Sequence, residues 1–180
     1  MRLIRFFMAF CVILSFAACE KSDPFTETDA GNNTLGFLLD GKKVEYKWVK
    51  YAALSPEYLP SVMSQKWGED SLRVWAFLDG AEGCKYIEMR MPLHKLKNGA
   101  RLNNEAKVEL TYEAGSYEED GKTIQDLRVM EASSSSIYIR TCLKNKVLSG
   151  TFSFEGDAIY MNGDTRHHRI ANGMFDVEWR

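Results

Sequence analysis

An antiparallel all-β domain, built as a two-layer β-sandwich or a flattened β-barrel, is the fold class this sequence predicts. Three observations predict it. Apolar and polar residues alternate in short runs over most of the chain. Turn dipeptides such as Asp40-Gly41, Asn98-Gly99, Asn162-Gly163 and Asn172-Gly173 punctuate those runs at short intervals. The runs are also too many for one flat sheet in a chain of 180 residues, so a second layer or closure is expected.

The chain opens with Arg2 and Arg5 before an apolar run over residues 6–16, followed by Ala17, Ala18 and Cys19. This is the outline of a secretory signal, with an apolar core too short to span a bilayer comfortably. Ser15-Phe16-Ala17-Ala18-Cys19 resembles the lipobox of bacterial lipoproteins, with Phe16 where Leu is commoner. The resemblance implies cleavage before Cys19 and acylation of its thiol and new amino group. Residues 1–18 are then the signal peptide, 19–33 the lipidated N-terminus and tether, and 34–180 the all-β domain. Residues 20–33 are polar, include Pro24 and Gly31, and read as a flexible tether that lifts the domain off the membrane. Cys19-Glu20-Lys21-Ser22-Asp23 also resembles the charged signal that sends Bacteroidetes lipoproteins to the outer face of the outer membrane. A merely solvated linker is the alternative. The expected location is the cell envelope, lipid-anchored in the outer membrane, with the choice between its periplasmic and outer faces open.

At 45% hydrophobic and 12% aromatic residues the chain has ample material for one core. Signal cleavage removes Arg2 and Arg5 and no acid, leaving 21 basic against 25 acidic residues, a net of −4. No basic block follows a phosphate backbone, which argues against a nucleic-acid partner. Cys84 and Cys142 are the cysteines left after Cys11 and Cys19. An exported domain permits a disulfide between them. Each also sits in an alternating run where a cysteine serves as a small buried hydrophobe.

Leu35, Phe37 and Leu39 alternate before Asp40-Gly41, and Val44, Tyr46 and Trp48 after it, which predicts a hairpin. Residues 50–67, broken by Pro56 and Pro60, read as a long packed loop carrying Tyr51, Tyr58 and Trp67. These rings either seal an open end of the sheet or meet a partner. Residues 71–78 and 85–91 are the next strands. Leu72, Val74, Ala76 and Leu78 share one face of the first, while Trp75 and Phe77 make its other face apolar, which predicts burial on both sides. Residues 93–102 read as a loop. Val108, Leu110 and Tyr112 alternate in a strand, residues 115–122 read as an acidic turn, and residues 127–130 as a short strand. After a polar break at residues 133–136, strands are expected over 137–143, 147–154, 158–161, 169–171 and 175–179.

Two stretches resemble a known family. Asn33-Thr34-Leu35-Gly36-Phe37-Leu38-Leu39-Asp40-Gly41-Lys42 is similar to the opening of a group of uncharacterised Bacteroidetes lipoproteins, the DUF6252-like family. Leu148-Ser149-Gly150-Thr151-Phe152-Ser153-Phe154 and Ile170-Ala171-Asn172-Gly173-Met174-Phe175-Asp176-Val177 resemble its closing pair of strands. The matching motifs are turns and alternating apolar positions, so the resemblance implies fold and envelope location, and no functional residue.

Motifs of catalysis are not found: no Gly-x-Ser-x-Gly elbow, no phosphate-cradling glycine loop, no His-Glu-x-x-His helix. His167 and His168 are neighbours, and neighbours on a strand point to opposite faces, which discourages a shared metal. His94 stands alone in a loop. Glu118-Glu119-Asp120-Gly121 lacks the ligand spacing of a calcium loop and reads as a solvated turn. Asp70-Ser71-Leu72 resembles the O-glycan acceptor of exported Bacteroidetes proteins, which makes Ser71 a candidate modification site. The expected function is a non-catalytic binding or structural domain, tied to the membrane by its N-terminal lipid, with no cofactor and with a protein or glycan partner. A lipocalin-like carrier of a small apolar ligand is the alternative, and an envelope hydrolase a third.

Overall fold

The hairpin at Asp40-Gly41 starts the first sheet. Thr34–Leu39 (β1) and Lys42–Tyr46 (β2) pair from Leu39 opposite Lys42 to Leu35 opposite Tyr46. Both turn residues have positive φ, 50° and 83°, which a two-residue loop between right-twisted strands requires. The computed structural model describes residues 25, 27–46, 49–50, 58–59, 62–77, 84–119, 122–159 and 163–179. Its further strands are Val49–Lys50 (β3), Tyr58–Leu59 (β4), Val62–Trp67 (β5), Ser71–Phe77 (β6), Cys84–Pro92 (β7), Arg101–Asn103 (β8), Lys107–Glu119 (β9), Lys122–Glu131 (β10), Ser134–Leu143 (β11), Val147–Ile159 (β12) and Thr165–Glu178 (β13). A single 3-10 turn, Leu93–Lys95, is the helical element among the described residues, and no helix there is long and apolar enough to cross a membrane.

Two antiparallel sheets result, β2-β1-β13-β12-β11-β8 and β10-β9-β7-β6-β5, with β3 and β4 paired apart from both. They do not close into a barrel, so of the two expected forms the chain takes the β-sandwich. Leu35, Phe37, Tyr46 and Phe175 of the first sheet join Leu72, Val74, Ile87 and Leu110 of the second in one buried cluster. Phe37 lies 6.1 Å from Tyr46 and 6.0 Å from Phe152, so these rings pack against one another inside that cluster.

Several expectations are corrected by specific residues. Within residues 50–67, Val62–Trp67 is a strand at the edge of the second sheet. Its signal is hidden because the inward position after Val62 is Ser64, whose buried hydroxyl donates to the Glu178 carbonyl at 2.5 Å. Residues 115–119 are part of β9 and pair with β10, so the acidic stretch extends a polar hairpin arm whose pattern carries no apolar alternation. Ser134 to Ser136 begin β11, where the Ser135 amide donates to Asn104 Oδ1 at 2.7 Å. Residues 158–159 continue β12 without a break. Gly156 inside it allows close approach of the other sheet, since a Cβ there would lie 2.4 Å from the Glu131 carbonyl oxygen. Residues 101 and 102 belong to β8, not to a loop.

Asn172-Gly173 is a bulge in the continuous strand β13 and not a turn between two strands. Gly173 faces Phe152 and Ile170 faces Phe154, so β13 holds one residue more than β12 over this span, and the same excess appears against β1. Asn172 takes φ 51°, which Asn tolerates better than most residues. A second bulge at Arg140 separates Ile139 opposite Gly150 from Thr141 opposite Ser149. It shifts the inward face by one residue, so that Cys142 packs on the core while Leu143 is exposed.

Residues 27–33, expected to be part of a free tether, are strapped to the outer face of the first sheet. The buried Asp176 carboxylate accepts from the Thr28 hydroxyl at 2.6 Å and from the amides of Ala30, Gly31 and Asn32 at 2.8 to 3.3 Å. Arg140 pairs with Glu27 at 2.8 Å and with Asp29 at 2.7 Å. The Phe25 ring covers Gly36, where any Cβ would collide with it. Polar composition suggested freedom because these partners lie about 110 to 150 residues away in sequence.

Candidate functional site

The outer face of the second sheet gathers charge and aromatic rings in one place. Antiparallel register sets Met63, Trp75, Glu88 and Glu109 in one row across β5, β6, β7 and β9, and Gln65, Arg73, Arg90 and Lys107 in the next. Strand alternation sends Leu72, Val74 and Ala76 to the core and therefore Arg73 and Trp75 outwards. That outer face of β6 is half-buried, not fully buried as its apolar content suggested, because Arg73 keeps it polar.

Glu88 is the centre of this cluster. It is 2% exposed and would carry a large desolvation cost if unpaired. Arg73 meets Oε2 through Nε at 2.7 Å and Nη2 at 2.6 Å, Arg90 Nε donates to Oε1, and the Tyr86 hydroxyl donates to Oε2. Burial works to raise the Glu88 pKa, yet the hydrogen bonds from Tyr86, Arg73 and Arg90 outweigh it and hold the carboxyl below its ordinary value. Burial and the bond to Glu88 push the Tyr86 phenol up to about 12. The guanidinium groups in turn lie over indole rings: Arg73 is 4.8 Å from the Trp67 centroid and 4.6 Å from that of Trp75, and Arg90 is 5.2 Å from Trp67. Each such contact stabilises by roughly 0.5–2 kcal/mol, depending on how dry it is. Trp67, 46% exposed, caps the stack.

Such a carboxylate, fixed in its ionised form and fully engaged, is a poor general acid or base, which needs a pKa near the working pH. What the cluster offers is a rigid, partly desolvated surface of Trp, Tyr and Arg, the residue types that dominate binding hot spots. No group of three or more metal-ligating side chains occurs among the described residues.

Of the residues singled out from sequence, Trp67 is brought into this cluster. Tyr51 lies outside the described residues, as does the side chain of Tyr58, whose backbone forms β4. Cys19 also lies outside them. Ser71 starts β6 opposite Trp67 and Pro92, half-exposed beside an exposed Asp70. Cys142 carries a free thiol, half-buried against the core, whose pKa burial pushes up. The Cys84 side chain lies outside the described residues. His167 meets Asp157 at 2.8 Å and His168 meets Asp40 at 2.6 Å, on separate partners. His94 is exposed. Sequence reasoning missed Arg73, Tyr86, Glu88 and Arg90. Their signal was polar side chains at alternate positions of two otherwise apolar strands, legible only once the register of β6 on β7 is known.

The fold and this face define the class: an open, antiparallel β-sandwich bearing an arginine–aromatic surface. Compared with known proteins, the chain matches no family model, no curated protein and no solved structure.

Proposed function

We propose that the chain is a lipid-anchored, non-catalytic binding domain of the cell envelope, which takes a protein partner on the outer face of its second sheet. The observation that carries the reading is Trp67, left 46% exposed on a stack that Arg73, Arg90 and the buried Glu88 hold in one geometry. A ring fixed before contact loses little freedom on association, so more of its buried area becomes affinity. The anchor rests on the signal-like N-terminus ending at Cys19, whose last residues resemble a lipobox.

A photo-reactive residue at the exposed position 65, beside Trp67, tests the docking face in cells of the source bacterium. The expected result is one protein adduct of defined mass that disappears with Trp67→Ala and is absent when the same probe stands at the exposed Thr165 of the other sheet. An adduct unaffected by Trp67→Ala overturns the reading. Quenching of Trp67 by oligosaccharides, with no protein adduct, would replace the protein partner by a glycan.

A further inference from the structure

A second site lies at one end of the sandwich, away from the arginine–aromatic face. The turn after β5, the segment after the 3-10 turn and the turn between β11 and β12 surround an open cleft of about 860 Å³, within the usual range for small-molecule sites. Its floor is apolar: Leu93, Leu96 and Cys142 pack on the core from this side, beside Trp179. Asn98 braces the floor by accepting from the Cys142 amide at 2.6 Å. Three exposed lysines, Lys66, Lys97 and Lys144, stand at its rim, and Glu69 is the one carboxylate among the described lining residues. No ion pair engages these three lysines among the described residues, whereas Lys43, Lys95 and Lys107 are each paired with a glutamate.

We infer that this cleft binds a single-chain anionic amphiphile, a medium-length fatty carboxylate, with its tail on Leu93, Leu96 and Trp179 and its head among the lysines. Charge selects the ligand. The expected mature chain is acidic overall, at −4, so three unpaired ammonium groups around one apolar floor run against its general balance. An apolar floor under a cationic rim matches a molecule with an apolar tail and one negative end. A neutral tail would leave the rim unused, and a small anion would leave the floor unused. The lysines and the apolar floor meet at the end of the sandwich, so the ligand sits there.

Dodecanoate below its micelle concentration is the probe, added to the full mature chain. Its binding is read by calorimetry and by the rate of Cys142 alkylation with N-ethylmaleimide, resolved site by site by mass spectrometry. Dodecanoate is expected to slow Cys142 alkylation at least about tenfold, with dodecanol, dodecylammonium and acetate each at least about tenfold weaker, the scale of one lost charge-assisted contact. The double variant Lys97→Glu/Lys144→Glu, at exposed positions, should keep the wild-type melting temperature and lose dodecanoate binding by at least about tenfold. Trp67→Ala should leave the dodecanoate affinity and the protection of Cys142 unchanged, which separates this site from the docking face. Equal protection by dodecanol and dodecanoate overturns the inference, as does dodecanoate binding that survives the charge reversal. Protection by phosphatidylglycerol vesicles without protection by free dodecanoate would also overturn it, and would assign the lysines to contact with a membrane surface.

Discussion

Glu88 shows how one residue sets the character of a whole face. Its carboxylate collects Arg73, Arg90 and Tyr86, and those arginines in turn hold Trp67 and Trp75. Glu88→Ala is expected to destabilise the domain by about 1–3 kcal/mol, below the full cost of breaking a buried pair because Arg73 and Arg90 are 22% and 30% exposed and water can take over part of the role. The pH dependence has a definite sign. The folded Glu88 pKa lies below its ordinary 4.5, so this contribution is present above 4.5 and is lost as pH falls through the folded value. Tyr86 acts at the other limb: its pKa rises from 10.0 to about 12, so its contribution is complete below 10 and is lost as pH climbs towards 12. Urea melts of wild type and Glu88→Gln between pH 7 and pH 3 check the acid limb, where wild type should fall more steeply; parallel curves would remove Glu88 from the account. Trp67→Ala, by contrast, should cost only about 1–2 kcal/mol, since the ring is 46% exposed and its main contacts are to the arginines. Neither Glu88 nor its three polar partners were legible as a site, because residues 73 and 88 become neighbours only through strand pairing.

Elements were legible wherever local chemistry decided them, and illegible where a distant strand did. Asp40-Gly41 specifies its own hairpin, and Phe175, Val177 and Trp179 alternate and are buried as their pattern predicts. Asn172-Gly173 has the same composition as a turn, yet β1 and β12 pair along both sides of it and turn it into a bulge. Gly173 is there for Phe152, whose ring atoms lie 2.7 Å from where a Cβ would sit. Phe152 and Phe154 are both buried, with ring centroids 6.3 Å apart, so their expected common face is the observed one. Replacing either with Ala should cost about 3–5 kcal/mol, and a melting temperature unmoved by both would contradict this packing. Gly156→Ala is a sharper test at this scale, because the clash is with the Glu131 carbonyl, a backbone atom that cannot rotate away. A loss of about 1–3 kcal/mol is expected on denaturation; wild-type stability would mean that the end of β10 does not press on β12.

For the molecule as a whole, the strap over residues 27–33 changes how far the domain can stand from a membrane. Asn33 lies fourteen residue steps beyond Cys19, a reach of about 45–50 Å if fully extended, whereas Phe25 lies only six steps beyond it, a reach of about 20 Å. With Phe25 on Gly36 and residues 28–32 held by Asp176, the proposed anchor keeps the outer face of the first sheet near the bilayer. The arginine–aromatic face belongs to the opposite sheet and is thereby turned outwards, where a partner can reach it. Asp176→Ala removes the acceptor shared by Thr28, Ala30, Gly31 and Asn32 and should release the strap at a cost of about 1–3 kcal/mol. Two measurements read this out: hydrogen exchange at the amides of Ala30, Gly31 and Asn32 should accelerate, and energy transfer from a labelled domain to headgroup dyes in reconstituted vesicles should weaken. Cys19→Ser supplies the reference, since it removes the acylation site and should free the protein from membranes altogether. If Cys19→Ser still pellets with membranes after a high-salt wash, the anchor is wrong. If instead the anchor holds and Asp176→Ala leaves the transfer efficiency unchanged, the strap does not set the height of the domain, and the outward presentation of Trp67 needs another cause.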